Sequence, residues 1–133
     1  MRSKKPIYKK PYEQVDNVYE AIWLGNDSPI MESDFTFVFN DRYPCVPGHK
    51  LFIPKQNNSH FVGRSYGMAY DYGNEKIKKG EMDGFNVGMN LGICAGQTIM
   101  WPHIHFIPRH KNDSKEIGGM RHAHPSADHK KYY

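Results

Sequence analysis

"DFTFVFNDRYPCVPGHKLFIPK", residues 34–55, holds two short apolar runs separated by a stretch too rich in proline for regular structure. In "SDFTFVFND", residues 33–41, Phe35, Phe37 and Phe39 alternate with Thr36 and Val38. A run of aromatic and β-branched residues with period two is a strand pattern. "HKLFIPK", residues 49–55, is a second strand, stopped by Pro54. The link "RYPCVPG" contains two prolines and a glycine and is short, so the two strands are expected to pair antiparallel.

Further along, "GFNVGMNLG", residues 84–92, sets Phe85, Val87 and Met89 against Asn86, Gly88 and Asn90 and predicts a third strand. In "GQTIMWPHIHFIPRH", residues 96–110, alternation puts Trp101, His103 and His105 on one side. Pro102, Ile104 and Phe106 then form a packed underside. Val15, Val18, Tyr19, Ile22 and Trp23 predict an amphipathic helix over 12–24, ending at "GND". A second helix, partly exposed, is expected over 62–82 despite Gly67 and Gly73. Residues 110–133 are polar and are expected to wrap irregularly over the surface. The order helix, strand, strand, helix, strand, strand predicts an α+β domain on an antiparallel sheet.

At 133 residues the chain has room for one domain. Hydrophobic residues make up only 38% and aromatics 14%, so the core is expected to lean on Phe, Tyr and Trp. The formal net charge of +4 suits anionic partners, although much of it lies in the terminal runs "MRSKKPIYKKP" and "DHKKYY". Residues 1–11 are read as a basic arm, 12–125 as the domain and 126–133 as a tail. The two cysteines, Cys45 and Cys94, lack C-x-x-C spacing, which argues against a disulfide framework or a cysteine zinc site and fits a reducing compartment. No stretch is apolar enough to span a bilayer or to act as a leader, so a soluble cytoplasmic protein is expected, with no membrane partner.

Two imidazoles on one strand face admit several chemistries. They can be hydrogen-bonded structural histidines. They can share a metal, but that needs further ligands, and only His122 and His124 offer themselves, with no carboxylate at a recognisable spacing. They can also attack phosphorus, because imidazole is largely neutral near pH 7 and forms a readily hydrolysed phosphoramidate. "AGQT", residues 95–98, adds an amide, a hydroxyl and a glycine beside them, donors suited to anionic oxygens.

"AGQTIMWPHIHFIPR" resembles the histidine triad (HIT) family of nucleotide hydrolases and transferases, whose motif alternates three histidines with apolar residues after Gly-Gln-Ser/Thr. Residues 34–55 are similar to the family's strand, acidic residue, proline-rich loop, Gly-His and strand ending in Ile-Pro-Lys. "GFNVGMNLG" resembles its strand before the active-site loop, and "GGMRHAHP", residues 118–125, its Gly-Gly-x-Arg stretch in many bacterial members. The chain thus looks like a bacterial or phage-like member. The resemblance covers about residues 12–125 and implies a sheet of about five antiparallel strands with two helices.

On the same resemblance His103 is the nucleophile that becomes nucleotidylated. The ring of His105 would lie by the phosphate, and its backbone carbonyl would orient His103. His49 would face that phosphate, Gln97 and Thr98 would contact its oxygens and the leaving group, and Asn90 would help hold it. Asp41 would bind the ribose hydroxyls, with Phe39, Asn40 and Arg42 lining the nucleoside pocket. Trp101 stands at the first triad position, where its indole is expected to reshape the pocket wall. The implied activity is hydrolysis at the α-phosphate of a dinucleoside polyphosphate or related nucleotide. Phosphoramidate hydrolysis, nucleotidyl transfer and a non-catalytic nucleotide-binding module are the alternatives. No cofactor is required and no metal site is expected, although a divalent ion could arrive bound to the nucleotide. A homodimer is implied. Nucleic acid is not an expected partner, since no zinc finger or concentrated basic stripe is present.

Overall fold

Alternating side chains must cover both faces of the sheet in the computed structural model, which describes residues 9–113 and 119–128. Five strands, β1 (Met31–Glu32), β2 (Thr36–Asn40), β3 (Lys50–Pro54), β4 (Gly84–Gly88) and β5 (Ile104–Arg109), form one sheet in the order β1-β2-β3-β5-β4. Every neighbouring pair is antiparallel. The expected pairing of the first two runs is realised with Phe37 opposite Ile53 and Phe39 opposite Leu51. Two helices accompany the sheet, α1 (Ile22–Asn26) and α2 (Ser59–Lys78).

Helix α2 packs on one face, over Val38, Phe52, Ile104 and Phe106. The Asn58 side chain caps its first turn by accepting from Phe61 N. Thr36 and Ser65 share a buried 2.7 Å hydrogen bond that ties β2 to the helix. Gly73 allows the close approach to β4, since a Cβ there would run into the Phe85 ring. The glycine that weakened the sequence case for a helix is thus what lets it pack.

The other face carries Phe37, Phe39, Leu51 and Ile53, covered by Val15, Val18, Ala21, Trp23 and Trp101. Here the structure departs from the expected helix over 12–24. Residues 18–20 form a single 3-10 turn, and α1 is one short helix after it. Tyr12 adopts a positive φ of 68°, Gln14 makes a parallel bridge to Met100, and Asn17 caps the turn through its side chain. The apolar residues are buried as expected, but by a bent segment laid across the sheet. Tyrosines contribute less to the core than expected, with Tyr12, Tyr19, Tyr43 and Tyr70 exposed.

The strand expected over 84–92 ends at Gly88, and a 3-10 turn, Ile93–Ala95, follows. The histidine strand starts only at Ile104, because Pro102 has no N–H to give a ladder. Near the C-terminus a 3-10 turn at Met120–Ala123 packs back, its Met120 side chain lying against Gly88. Most of the expected N-terminal arm and residues 129–133 of the tail lie outside the described residues. Lys9 and Tyr12 hydrogen-bond to Glu20 O and Thr98 O. No described helix is long and apolar enough to cross a membrane.

Candidate functional site

Where β2 ends, the ladder runs one step further: Asp41 N donates to His49 O across the proline-rich loop. Gly48, at φ +91°, turns the chain there beneath Pro108, where a Cβ would come within 3.2 Å of that ring. His49 is thereby placed at the head of β3, beside β5. His105 sits in β5, flanked by Leu51 of β3 and Gly88 of β4. Three segments distant in sequence therefore bring Asp41, His49 and His105 together.

The rings are held by bonds whose direction is fixed. Cys45 N donates to His49 Nδ1 at 3.2 Å, so the His49 proton is on Nε2. His49 Nε2 lies 2.9 Å from His105 Nδ1 and 3.2 Å from Asp41 Oδ2. The other Asp41 oxygen accepts from Tyr43 N at 2.8 Å. His103 Nδ1 donates to the Trp101 carbonyl at 2.7 Å. That contact corrects one expectation: the carbonyl that orients His103 belongs to Trp101, two residues earlier, and not to His105. The Trp23 ring closes on His103 with centroids 4.9 Å apart. His103 Nε2 makes no hydrogen bond among the described residues.

A cleft of about 330 Å³ opens over these groups. Ile22, Trp23, Leu51 and Ile99 supply apolar walls, and Asn40, Asp41, Arg42, Thr98, His103 and His105 the polar ones. Arg42 also faces Asp27 at 3.7 Å. Of the remaining expected residues, Phe39 is buried in the core and borders a smaller hollow beside Asn40 and Asp41. His49 is buried behind His105. Gln97 is also buried, and its amide closes its own loop by accepting from Gly92 N and donating to Ile99 O. Asn90 is exposed and leans over Gly96.

Trp101 corrects a second expectation. It does not line the cleft: the residue is 3% exposed, belongs to the core under the sheet, and donates Nε1–H to Pro54 O at 2.9 Å. Ile22 and Trp23 are cleft residues that the sequence did not pick out. Their apolar spacing marked them as buried, but nothing local says that the surface they cover is the site.

The carboxylate absent from the sequence-level metal reading is also present, because Asp41, His49 and His105 offer ligand atoms within 4.8 Å of one another. His122 and His124 are not part of that cluster; His124 is exposed and His122 half-buried. A cation there would need His49 Nε2 to lose its proton and the Cys45 hydrogen bond to be rearranged.

All three imidazoles are held neutral. Burial lowers His103 below its ordinary 6.5, partly opposed by its bond to the Trp101 carbonyl and by Asp41. Burial lowers His49 in the same way, with Asp41 opposing. His105 falls to about 4, from burial and then from the neighbouring His103 and His49. Histidines with depressed folded-state values stabilise the fold fully above the unfolded value of about 6.5 and lose that contribution as pH falls. Stability is therefore expected to drop between about pH 6.5 and 4, each imidazole adding at most ~1.4 kcal/mol per pH unit to the slope. Urea midpoints measured across that range check this, and a midpoint independent of pH would contradict it.

Known proteins resemble this chain in sequence and in fold. The HIT domain family matches residues 26–112. An adenylylsulfatase of Arabidopsis thaliana is 33% identical over 110 residues, 75% of this chain and 55% of that one. An adenosine 5'-monophosphoramidase of Saccharomyces cerevisiae is 29% identical over 93 residues, 68% of this chain and 59% of that one. A bis(5'-adenosyl)-triphosphatase of the same yeast is 28% identical over 102 residues, 71% of this chain and 50% of that one. This chain thus spans between half and three-fifths of these relatives' own length. Among solved structures, a HIT family protein of Bacillus anthracis has a TM-score of 0.57 at 25% identity, covering 80% of this chain and 76% of that one.

Proposed function

This chain belongs to the HIT domain family, and we propose that it is a nucleotide hydrolase that attacks the α-phosphate of a dinucleoside polyphosphate or related nucleotide through His103. The observation that carries this reading is the His103 Nδ1 bond to the Trp101 carbonyl, which leaves the Nε2 lone pair free in the cleft. The hydrolase names of three relatives support the reaction class.

In this reading the base rests against Ile22, Trp23 and Leu51, and the ribose hydroxyls meet Asp41 and Asn40. Asp41 is already bonded to Tyr43 N and His49, but carboxylate oxygens have lone pairs to spare. His103 Nε2 forms the N–P bond as the leaving group departs, and Thr98 and His105 face the oxygens that gain charge. Water then cleaves the nucleotidyl-histidine. Fixed donors matter most in both steps, because negative charge builds on phosphate oxygens. Trp101, at the place of the motif's first histidine, leaves this chemistry intact, since its contribution to His103 comes from the backbone. Phosphoramidate hydrolysis is the second reading, favoured by the name of one yeast relative.

The test is to mix the protein with diadenosine polyphosphates labelled at the α-phosphate and to quench in alkali or acid. Label retained on the protein in alkali and released by acid is the signature of a phosphoramidate. Turnover with no such intermediate under single-turnover conditions would count against covalent attack by His103.

A further inference from the structure

We propose that the N-terminal turn at residues 10–13 walls a leaving-group subsite, in which Lys9 and Lys10 bind the phosphates beyond the α-phosphate and favour substrates that release an oligophosphate. This rests on the nucleotide-hydrolase reading above.

"KKPYE", residues 9–13, closes into a tight turn in which Glu13 N donates to Lys10 O at 3.1 Å. Pro11 takes the first central position, where its ring holds φ at about −65°. Tyr12 follows with φ +68°. That pair of angles marks a type II turn, whose second central position favours glycine. A tyrosine in this conformation is strained and persists only where its surroundings fix it. Here two contacts do so: Tyr12 N donates to Thr98 O at 2.8 Å, and Gln14 bridges to Met100. Glu13 Oε1 also accepts from Lys10 N, so that carboxylate is engaged by the backbone of the turn. The turn is thus fastened to the segment that carries Thr98, and Pro11 lines the cleft together with Thr98 and Ile99.

A polyphosphate needs more positive charge than the cleft supplies. Arg42 is the one permanent cation of its lining, and it faces Asp27 at 3.7 Å. His103 and His105 add none at neutral pH, since burial lowers both. Lys9 and Lys10 immediately precede Pro11, the first half-buried and the second exposed. Ion pairs among the described residues engage Arg42, Lys55, Lys76, Lys79 and Arg109, and neither Lys9 nor Lys10. On a flexible four-carbon stem each ammonium can follow phosphate chains of different length. Charge also grows here during the reaction. As His103 Nε2 forms the N–P bond, the P–O bond breaks with its electron pair on the leaving oxygen. The departing oligophosphate gains one negative charge, which neighbouring ammoniums stabilise more in the transition state than before it. A sulfate leaving group gains the same charge but has no further phosphates to meet the lysines. Both lysines stay in contact with solvent, so the preference is modest and salt-dependent.

The test uses the full chain, a Lys9→Gln/Lys10→Gln double variant and a charge-keeping Lys9→Arg/Lys10→Arg control. In the glutamine variant the ratio of kcat/KM for diadenosine pentaphosphate to that for adenylyl sulfate is expected to fall about tenfold from its wild-type value. The arginine control should hold that ratio within about twofold. In the wild type the ratio should shrink between about 0.02 and 0.5 M salt, as screening shortens the reach of exposed charge. Tripolyphosphate gives a readout without turnover: its Kd, measured by calorimetry, should weaken about tenfold in the glutamine variant and little in the arginine control. A ratio unchanged in the glutamine variant, or lost equally in the arginine control, overturns the proposal. So does tripolyphosphate binding that is the same in all three proteins. If the wild type turns over no substrate, the hydrolase reading fails, and the tripolyphosphate result still decides the subsite.

Discussion

Replacing His103 by alanine is expected to lower kcat by about four orders of magnitude or more if it is the nucleophile, as we propose, because a nucleophile has no partial substitute. The structure explains why this imidazole, among its neighbours, would be the one to lose. His49 has both nitrogens engaged, by Cys45 N on one side and by His105 and Asp41 on the other. His105 has its Nδ1 engaged with His49 Nε2 at 2.9 Å. His103 alone of the three combines an Nδ1–H committed to a carbonyl with an unengaged Nε2 facing the cleft. Burial also keeps it neutral below its ordinary value, so the nucleophilic form persists under mildly acidic conditions. Alanine removes a ring packed against Trp23, so some stability is lost as well, about 1–2 kcal/mol. Nucleotide affinity separates the two effects. His103→Ala should still bind the product monophosphate with a Kd within a few-fold of wild type while forming no labelled intermediate. Turnover at even a tenth of the wild-type rate would remove His103 from the nucleophile's role.

The parts of this fold legible in the sequence are those set by local alternation. Phe37 and Phe39, Leu51 and Ile53, and Ile104 and Phe106 each face where a period of two puts them. The segment over residues 12–24 was not legible in detail, because a 3-10 turn and a short helix bury the same spacing of apolar residues as one longer helix would. Of the candidate site, the meeting of His103, His105, Thr98, Asp41, Asn40 and Arg42 at one cleft was legible through the motif. The hydrogen-bond directions were not. They depend on the Cys45 amide and the Trp101 carbonyl, and backbone groups carry no sequence signal. The Asp41 contact with His49 and His105 was hidden for a related reason, since it arises from pairing β3 with both β2 and β5.

Trp101 is where the sequence and the structure diverge most, and Trp101→Ala is expected to cost about 3–5 kcal/mol of stability. The indole fills the core between the sheet and the N-terminal segment, and its N–H satisfies the Pro54 carbonyl. Alanine would leave both a cavity and an unpaired buried carbonyl. In a domain of this size that loss corresponds to a Tm lower by roughly 10–20 °C. Trp101→Phe keeps most of the volume and loses only the hydrogen bond, so it should cost about 1–2 kcal/mol. Trp101→His, which restores the motif's missing imidazole, should destabilise the fold without raising kcat. A smaller polar ring would enter an apolar core, whereas the carbonyl that orients His103 is supplied by any residue at this position. Were the indole a wall of the cleft, the pattern would invert, with KM and kcat moving in Trp101→Phe while Tm stayed near wild type. Thermal melts and steady-state kinetics on the three variants separate the two roles. A packing role for Trp101 also gives a physical reason why a chain can depart from the motif there and keep the geometry of His103.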